Sequence, residues 1–201
     1  MDTGAQQNGT SGGVILSNVD ILAAIDAGDL SITPLAGRDP SAPPFNTSAV
    51  DLRLAPTILV PKTGDPITYR LDASYSADYI GRNCDAHEIT TERPYTLRRD
   101  RFVLAQTLER VSLPIRKGRP AYAARVEGKS SRARLGMLVH FTAPTIHCGF
   151  AGPITLEIIN LGSAHIDLVP GVFICQLIFE RMSGLPAAAP NQFTGQATPA
   201  G

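Results

Sequence analysis

The stretch that decides the fold is GPITLEIINLGSAHIDLVPGVFICQLIFERM, residues 152–182. Apolar and β-branched residues occur here in short runs, and glycine, proline or serine separates each run from the next. Runs of this kind are typical of antiparallel strands joined by tight turns. Comparable runs lie upstream in RFVLAQTLERVSLP, YAARVEG and GMLVHFTAPTI. The short spacing of these strands predicts an all-β sandwich or barrel.

One helix is expected before the strands, within LSNVDILAAIDAGDL. Ser17 is a suitable N-cap, Asp20 follows it three residues later, and Gly28 can end the helix. The segments SITPL and AVDLRLAPTILVP then predict further strands. Residues 62–92 are polar and weakly patterned, so we expect an excursion that carries short strands.

The two ends of the chain differ in composition from its centre. Residues 1–13, MDTGAQQNGTSGG, lack the basic region and the apolar core of a signal peptide, so we expect a disordered tail. Residues 186–201 are rich in proline, alanine and glycine but keep one aromatic residue, Phe193, within QFTGQ. We expect this flexible segment to order over a ligand, and residues 14–185 to form a single domain.

Charge is balanced over the whole chain but not along it. The chain has 18 basic and 18 acidic residues, yet 12 of the basic ones lie from Arg93 to Arg134, where only Asp100, Glu109 and Glu127 oppose them. Overall neutrality disfavours a nucleic acid or a membrane as the partner. The local basic block suits a compact anion such as a phosphate, and it also fits an Arg-rich face in solvent.

Cysteine content and hydropathy indicate where the protein works. The three cysteines, Cys84, Cys148 and Cys175, form no CxxC pair and are odd in number. We therefore expect reduced thiols in a cytoplasmic protein and no disulfide framework. No long apolar stretch occurs, so we expect no transmembrane helix.

Several familiar kinds of active site lack their motifs here. Zinc nucleobase deaminases need a His-x-Glu and a Pro-Cys-x-x-Cys motif, whereas this chain has AHE at residues 86–88 and no CxxC. Neither the P-loop motif nor GxGxxG occurs, which disfavours a P-loop or Rossmann domain. GxSxG is also missing, and the four histidines form no motif of a nucleophilic triad.

One carboxylate stands out in the strand PITLEIIN. Glu157 shares a strand face with Thr155 and Ile159, opposite Leu156 and Ile158. If that face is buried without a partner for the carboxylate, the pKa of Glu157 rises toward neutrality and the residue can shuttle protons. If the face of an antiparallel sheet meets water, Glu157 is an ordinary surface residue. The strand pattern leaves both interpretations open.

The segments GKSSRARLGMLVHFTA and GPITLEIIN, with five others in the same order, resemble the dCTP deaminases of the trimeric dUTPase superfamily. The segment GKSSRARLGMLVHFTA is similar to the family's Arg-Ser-Ser-x-x-Arg-Leu-Gly signature and the strand after it, and GPITLEIIN is similar to the strand with the catalytic glutamate. The other segments that resemble the family, in the same order, are GVILSNVDILAAIDAGDLSITP, SAVDLRL, FVLAQTLERVSLP, PGVFICQLIFERMSG and QFTGQ. Residues 62–92 lack a clear counterpart.

The resemblance implies a mainly β subunit, a dUTPase-like distorted β-barrel or jelly roll of the β-clip type with a short N-terminal helix. It implies a homotrimer with active sites between subunits. It also implies hydrolytic deamination of dCTP to dUTP and ammonia without zinc, with Mg²⁺ bound through the nucleotide phosphates. dTTP is an expected feedback inhibitor, whereas neither a nucleic acid nor a membrane is an expected partner.

The family's functional residues carry over by position. Glu157 would act as general base and acid, and Arg134 would orient it. Ser130 and the backbone carbonyl of Ala143 would hold the attacking water, and Phe193 would close the lid. The resemblance places at the nucleotide Lys129, Ser130, Ser131, Arg132, Ala133, Arg134, His147, Thr155, Leu156, Glu157, Gln176, Gln192, Phe193 and Gln196.

Two positions depart from the family pattern. Lys129 stands where the family usually has arginine, and lysine binds phosphate without the bidentate fork of a guanidinium. His147 and Cys148 stand in place of the Asp-Pro of an Ile-Asp-Pro-Gly turn, whose aspartate activates water in related dUTPases and helps bind deoxyribose in the deaminases. Three possibilities therefore stay open: a dCTP deaminase, which we favour, a dUTPase or bifunctional enzyme, and a trimer that binds pyrimidine nucleotides without catalysis.

Overall fold

The structure is a computed structural model, and it describes residues 14–64, 68–70, 76–187 and 199. The predicted N-terminal tail and the lid residues Gln192, Phe193 and Gln196 lie outside the described residues. Strands dominate the described part, which confirms the predicted mainly β class. Its elements in chain order are β1 (Val14–Ile15), α1 (Asn18–Asp26), β2 (Ser31–Thr33), β3 (Phe45–Asn46), β4 (Ala49–Arg53), β5 (Thr57–Pro61), α2 (Ser76–Asn83), β6 (Cys84–Glu88), β7 (Tyr95–Leu97), β8 (Arg101–Ser112), β9 (Tyr122–Gly128), α3 (Ser130–Ala133), β10 (Met137–Val139), β11 (Thr145–Ile146), β12 (Ala151–Asn160), β13 (Ile166–Leu168) and β14 (Phe173–Arg181).

Two antiparallel sheets share one hydrophobic core. The strands of the first sheet run in the order β11-β9-β14-β4-β3, with β1 on β14, and those of the second run β10-β12-β8-β5-β6, with β2 on β8. A separate pair joins β7 and β13. Leu52 and Phe179 of the first sheet and Ile58 and Leu156 of the second are fully buried in the same apolar cluster. The core therefore lies between the two sheets.

The first helix forms as predicted. Ser17 Oγ accepts a hydrogen bond from the backbone N–H of Asp20 (3.2 Å) and so caps α1. Gly28 follows the helix with a φ of +71°, a conformation that favours glycine. Ile21 and Ala24 are buried, so α1 contributes one face to the core. None of the described helices is long and apolar enough to cross a membrane.

Residues 62–92 contain more regular structure than expected. The helix α2 forms within this stretch, where we predicted only short strands. β6 pairs with β5 at the edge of the second sheet, from Thr57 opposite Glu88 to Pro61 opposite Cys84. Four of the five β6 residues are exposed, which explains why the stretch lacks the alternation of a half-buried strand.

The two longest described strands, β8 and β12, pair with each other across the middle of the second sheet. A bulge interrupts their ladder, because Pro153 lies opposite Arg110 whereas Thr155 lies opposite Gln106. The extra residues belong to β8. Bulges change the direction of the side chains beside them and are frequent next to active sites.

Thr107 closes this bulge with its hydroxyl. Its Oγ1 accepts a hydrogen bond from the backbone N–H of Ile154 (2.9 Å) and donates one to the carbonyl oxygen of Glu109 (2.7 Å).

The Glu109 side chain itself lies in the interior, where it is 2% exposed. Arg53 Nε donates to Glu109 Oε1 (2.6 Å), and the Arg53 backbone N–H donates to Oε2 (2.8 Å). Because both carboxylate oxygens are bonded, the interior tolerates this charge.

Removal of the Glu109 carboxylate is expected to destabilise the protein. In Glu109→Ala the guanidinium of Arg53 loses its partner and a cavity opens, so the free energy of unfolding should fall by about 3 kcal/mol. Urea denaturation measures the change. The control is Asp26→Ala, which breaks an exposed contact with Arg38 and should alter stability by less than about 1 kcal/mol. Equal losses in the two variants would contradict the structural role of Glu109.

Candidate active site

Glu157 lies in the middle of β12 with its side chain on the face away from the core. Its neighbours Leu156 and Ile158 are fully buried on the core side, whereas the Glu157 side chain is 27% exposed. β10 and β8 flank β12 on its two sides. Glu157 is therefore partly enclosed within a sheet, where a charge needs a partner.

His140 is that partner. β10 ends at Val139, and the chain turns at His140, which has a φ of +54°. The backbone N–H of His140 donates to the carbonyl oxygen of Glu157 (2.7 Å), and its Nδ1 lies 3.0 Å from Glu157 Oε2. Positive φ is uncommon outside glycine, and such residues cluster at functional sites. The turn therefore holds the imidazole against the carboxylate.

The bonding pattern of the imidazole determines where its protons lie. Nε2 is 2.7 Å from the carbonyl oxygen of Ala143, which can only accept, so we infer that Nε2 carries a hydrogen. Nδ1 then faces Glu157 Oε2 at 3.0 Å, where two lone pairs would repel each other. One proton must therefore reside on Nδ1 or on Oε2. Neither atom forms an aligned hydrogen bond with any residue that the structure describes, so their contact is electrostatic in character.

Burial and His140 act on Glu157 in opposite directions. Burial of the carboxyl raises its pKa, whereas the contact with His140 and the charge of that ring lower it, and the net effect is a pKa of Glu157 below its ordinary value. The condition for a raised pKa, burial without a partner, is not met in this chain. Glu157 is thus held in the ionised form that a general base requires.

Ala143, which we expected to hold the attacking water, is joined to Glu157 through the same imidazole. It is exposed in the loop between β10 and β11. Its carbonyl oxygen accepts from His140 and has the capacity for a second hydrogen bond. The loop therefore brings a second acceptor close to the glutamate.

The expected phosphate-binding residues follow β9 and begin close to His140. Gly128, just before Lys129, packs against Val139, just before His140, and a Cβ on Gly128 would lie 3.9 Å from the carbonyl oxygen of Val139. The next residues form α3, a single helical turn in which both serines are exposed. The two functional segments thus leave the two sheets at neighbouring points.

Lys129 is neutralised within the chain. Its Nζ contacts Asp51 Oδ2 and lies 6.0 Å from the centre of the Phe173 ring. Asn46 Nδ2 donates to the other carboxylate oxygen of Asp51 (2.9 Å). Asp51 faces Gln176 across the β4–β14 pair, so another predicted residue belongs to this cluster. A phosphate at Lys129 would share the ammonium group with Asp51.

The side chains of Ser130 and Arg134 do not contact Glu157. Both residues are exposed, and neither side chain forms a hydrogen bond or an ion pair with any residue that the structure describes. The hydroxyl and the guanidinium are therefore accessible to a ligand or to another chain.

The remaining predicted residues occupy different places. Thr155 is half-buried on the face of Glu157, whereas the Leu156 side chain belongs to the core, so Leu156 can offer a ligand only its backbone. His147 is exposed in the turn after β11. Arg132 is half-buried in α3, and Ala133 at the end of that turn is exposed.

Sequence reasoning missed His140 and Asp51. His140 lies in LVHFTA, and no local motif marks it. The available signal was its position directly after an apolar strand, where a polar side chain that the fold encloses requires a partner. Asp51 lies in SAVDLRL, and an aspartate within an apolar strand requires a partner. The partners themselves are distant in the chain, so the sequence did not reveal them.

Comparisons with known proteins assign the family. A family model described as dCTP deaminase-like matches residues 15–182. This chain belongs to the dCTP deaminase-like family. A protein of Halorubrum lacusprofundi named dCTP deaminase is 36% identical over 178 residues, which are 88% of this chain and 81% of that protein. A protein of Dictyoglomus thermophilum named "dCTP deaminase, dUMP-forming" is 37% identical over 177 residues, 88% of this chain and 84% of that protein.

A solved structure supports the same fold for this dCTP deaminase-like chain. The 2'-deoxycytidine 5'-triphosphate deaminase of Agrobacterium tumefaciens matches it with a TM-score of 0.62 at 19% identity. The match covers 84% of this chain and 48% of the other, so this chain spans about half the length of that protein. The likeness confirms that the chain has the mainly β fold of a dCTP deaminase, as the resemblance implied.

The Mg²⁺ ion expected with the nucleotide phosphates stays a prediction. No three His, Cys, Asp or Glu residues in the described ranges are grouped as metal ligands would be. Asp51, the carboxylate beside Lys129, already bonds Lys129 and Asn46. An ion bound by phosphates needs no dedicated protein cage, and it would neutralise part of their charge.

Replacement of His140 by phenylalanine is expected to raise the pKa of Glu157. The phenyl ring keeps the carboxyl buried but supplies neither a proton nor a charge, so the effect of burial is left unopposed. A ¹³C NMR titration of the glutamate carboxyl carbons measures the shift. The control is His165→Phe at an exposed histidine, which should leave the Glu157 titration unchanged.

The same substitution should change the pH dependence of stability. Because the pKa of Glu157 is depressed in the folded protein, its ionisation stabilises the fold above the ordinary glutamate pKa, and this contribution is lost as pH falls through the depressed value. The difference in unfolding free energy between wild type and His140→Phe should be largest near neutral pH and shrink in acid. An unshifted Glu157 titration in the variant would contradict the pairing.

Proposed function

We propose that this chain is an enzyme that hydrolyses dCTP to dUTP and ammonia without zinc. The observation that carries the proposal is the partly buried carboxylate of Glu157, which lies 3.0 Å from His140 Nδ1 and close to the loop of Ala143. A positioned carboxylate that is ionised at neutral pH can take a proton from water and return it to the reacting base. The names of the relatives support the same substrate.

The reaction requires two proton transfers at this carboxylate. Glu157 takes one proton from water while the water oxygen bonds to C4 of cytosine, and it delivers that proton to the ring nitrogen N3. It then carries the second proton of the water to the amino group, the C4–N bond breaks, and ammonia leaves. The carbonyl at C4 completes the uracil ring. His140 holds the carboxylate in place and opposes the rise in pKa that burial causes.

Four further residues have proposed roles around this chemistry. Ser130 and the carbonyl oxygen of Ala143 hold the attacking water, and Arg134 orients Glu157. Lys129 attracts the phosphates as a point charge. The other groups proposed to contact the nucleotide are Ser131, Arg132, Ala133, His147, Thr155, the Leu156 backbone, Gln176 and the lid residues Gln192, Phe193 and Gln196.

The active sites are proposed to lie between the subunits of a homotrimer. Ser130 and Arg134 make no side-chain contact within the described part of one chain, which supports a site that a second chain completes. Leu135 and Leu161 are about half exposed near the same turn, at 51% and 50%. Exposed leucines of this kind provide apolar area for a subunit contact.

The product is proposed to be dUTP, and dUMP is the second candidate. Relatives at 34–37% identity from Dictyoglomus thermophilum and Methanosphaera stadtmanae are named dUMP-forming. In the dUTPases that the chain resembles, an aspartate in the place of His147 activates the water that cleaves the triphosphate. Because an imidazole stands there in this chain, deamination without triphosphate cleavage is the favoured outcome.

The proposal also covers the cellular compartment of the protein and its regulation. The three cysteines are free, which supports a reducing cytoplasm. dTTP is proposed as a feedback inhibitor on the strength of the family resemblance. A trimer that binds nucleotides without turning them over is the alternative outside the enzyme class.

Glu157→Gln tests the proposed catalysis. Wild-type protein with dCTP, Mg²⁺ and a zinc chelator should release ammonia and dUTP. Glutamine keeps the shape of the side chain but cannot shuttle protons, so kcat should fall by about 10²- to 10⁴-fold. Mass spectrometry of the products from dCTP and from dUTP measures both the activity and the phosphorylation state.

The control is Glu88→Gln, an exposed carboxylate on β6, which should leave the activity unchanged. Pyrophosphate released from dUTP as fast as dCTP is deaminated would favour the bifunctional enzyme. Calorimetric binding of dCTP without any turnover would favour the non-catalytic trimer. Full activity of Glu157→Gln would exclude the glutamate mechanism.

Co-expression of two inactive variants tests the shared site. Arg134→Ala and Glu157→Gln should each be inactive alone. If Arg134 of one subunit serves Glu157 of another, random mixing leaves roughly a quarter of all sites intact, and every intact site lies in a mixed trimer. Activity measured on the co-purified mixture should recover to about that fraction of wild type. Recovery should be absent if both residues come from one chain.

A further inference from the structure

One buried polar group is not used by the proposed mechanism. Three buried side-chain atoms lack aligned hydrogen-bond partners among the described residues, namely His140 Nδ1, Glu157 Oε2 and Gln106 Nε2. The first two atoms contact each other at 3.0 Å, whereas no contact of this kind accounts for the burial of Gln106 Nε2. Gln106 is 6% exposed. A buried amide without a partner destabilises a protein, so its presence requires a reason.

Gln106 lies on the same face of the sheet as Glu157. In the β8–β12 pair, Leu104 is opposite Glu157 and Gln106 is opposite Thr155, and residues directly paired on antiparallel strands share a face. Gln106 is therefore a diagonal neighbour of Glu157, at a separation that long side chains can bridge. The bulge begins at the next residue, Thr107, which places Gln106 at the bend of β8.

The surroundings of Glu157 are otherwise uncharged apart from His140. Leu104 of β8 and Leu59 of β5 are paired in register and form an apolar wall beside it. Leu138 of β10 lies opposite Ile159, on the same face as Glu157, and is also apolar. In the described residues, His140 is the ionisable side chain that acts on the Glu157 carboxyl. A neutral polar residue within this wall is therefore conspicuous.

We infer that Gln106 is a positioning residue for Glu157, and that its amide N–H donates a hydrogen bond to the Glu157 carboxylate whenever that carboxylate is ionised. The inference rests on the proposed function of Glu157. His140 and Gln106 approach the carboxylate from different strands. An imidazole nitrogen donates in one tautomer and accepts in the other, whereas the amide N–H is a permanent donor. Gln106 therefore keeps the carboxylate oriented and favours its ionised form each time a proton leaves it.

Gln106→Met tests the inference, because it removes the donor and keeps the length of the side chain. With dCTP, kcat should fall about tenfold and KM should change less than about twofold, since the lost hydrogen bond serves the chemical step. The acidic limb of the pH–rate profile should move to higher pH. Without any nucleotide, the ¹³C titration of the Glu157 carboxyl should move in the same direction.

Two further variants sharpen the test. Gln106→Glu places a second carboxyl beside the first, and it should move the Glu157 titration further upward than Gln106→Met does. Leu104→Met is the matched control, because it changes the packing on the same strand face without changing any donor. It should leave the titration and the pH–rate profile unchanged. Gln106→Leu replaces Gln106→Met if the latter does not fold.

The two hypotheses fail in different ways. An unshifted Glu157 titration in folded Gln106→Met would overturn the inference, whether or not the protein turns over dCTP. Wild-type protein that fails to deaminate dCTP would overturn the proposed function, while a shifted titration would still establish the contact between Gln106 and Glu157. A purely structural glutamine predicts a change in melting temperature and no change in either pH profile.

Discussion

The antiparallel pairing of β8 with β12 is the constraint on which the rest of the structure depends. This ladder crosses the middle of the second sheet and contains its bulge, which Thr107 closes. On the core side it supplies fully buried residues such as Ala105 and Leu156. On the other side it presents Glu157. Because side chains alternate along each strand, the burial that stabilises the sheet also orients the carboxylate.

β8 and β12 carry two carboxylates with different roles, Glu109 and Glu157. Glu109 is enclosed, and Arg53 bonds both of its oxygens, so it is a structural charge with no capacity to bind anything else. Glu157 remains partly open, and its Oε2 faces His140 Nδ1 at 3.0 Å. The difference arises from the partners. A guanidinium is always charged and donates in a fixed geometry, whereas an imidazole nitrogen can either donate or accept.

The segment that we propose binds phosphate, residues 129–134, shows why one chain gives an incomplete account of the site. Lys129 is held by Asp51, and the side chains of Ser130 and Arg134 have no partners in the described part of the chain. A basic group that is already paired binds a phosphate by sharing its charge, so the neighbouring hydroxyls and backbone amides gain importance. This arrangement is consistent with a site that a nucleotide and a second subunit complete.

The sequence by itself determined the strand periodicity, the capped helix α1, the mainly β class and the place of Glu157 on a strand face, because these depend on neighbours within a few residues. It also contained enough ordered segments to indicate the family. Only the tertiary structure decided that α2 forms within residues 62–92, that Asp51 binds Lys129, and that His140 meets Glu157. The two contacts join residues that are separated along the chain, and the one between His140 and Glu157 also depends on the β10–β12 register and on the positive φ of His140. Local patterns carry no information about which distant partner a buried charge will find, so the protonation of the candidate base was set by the fold.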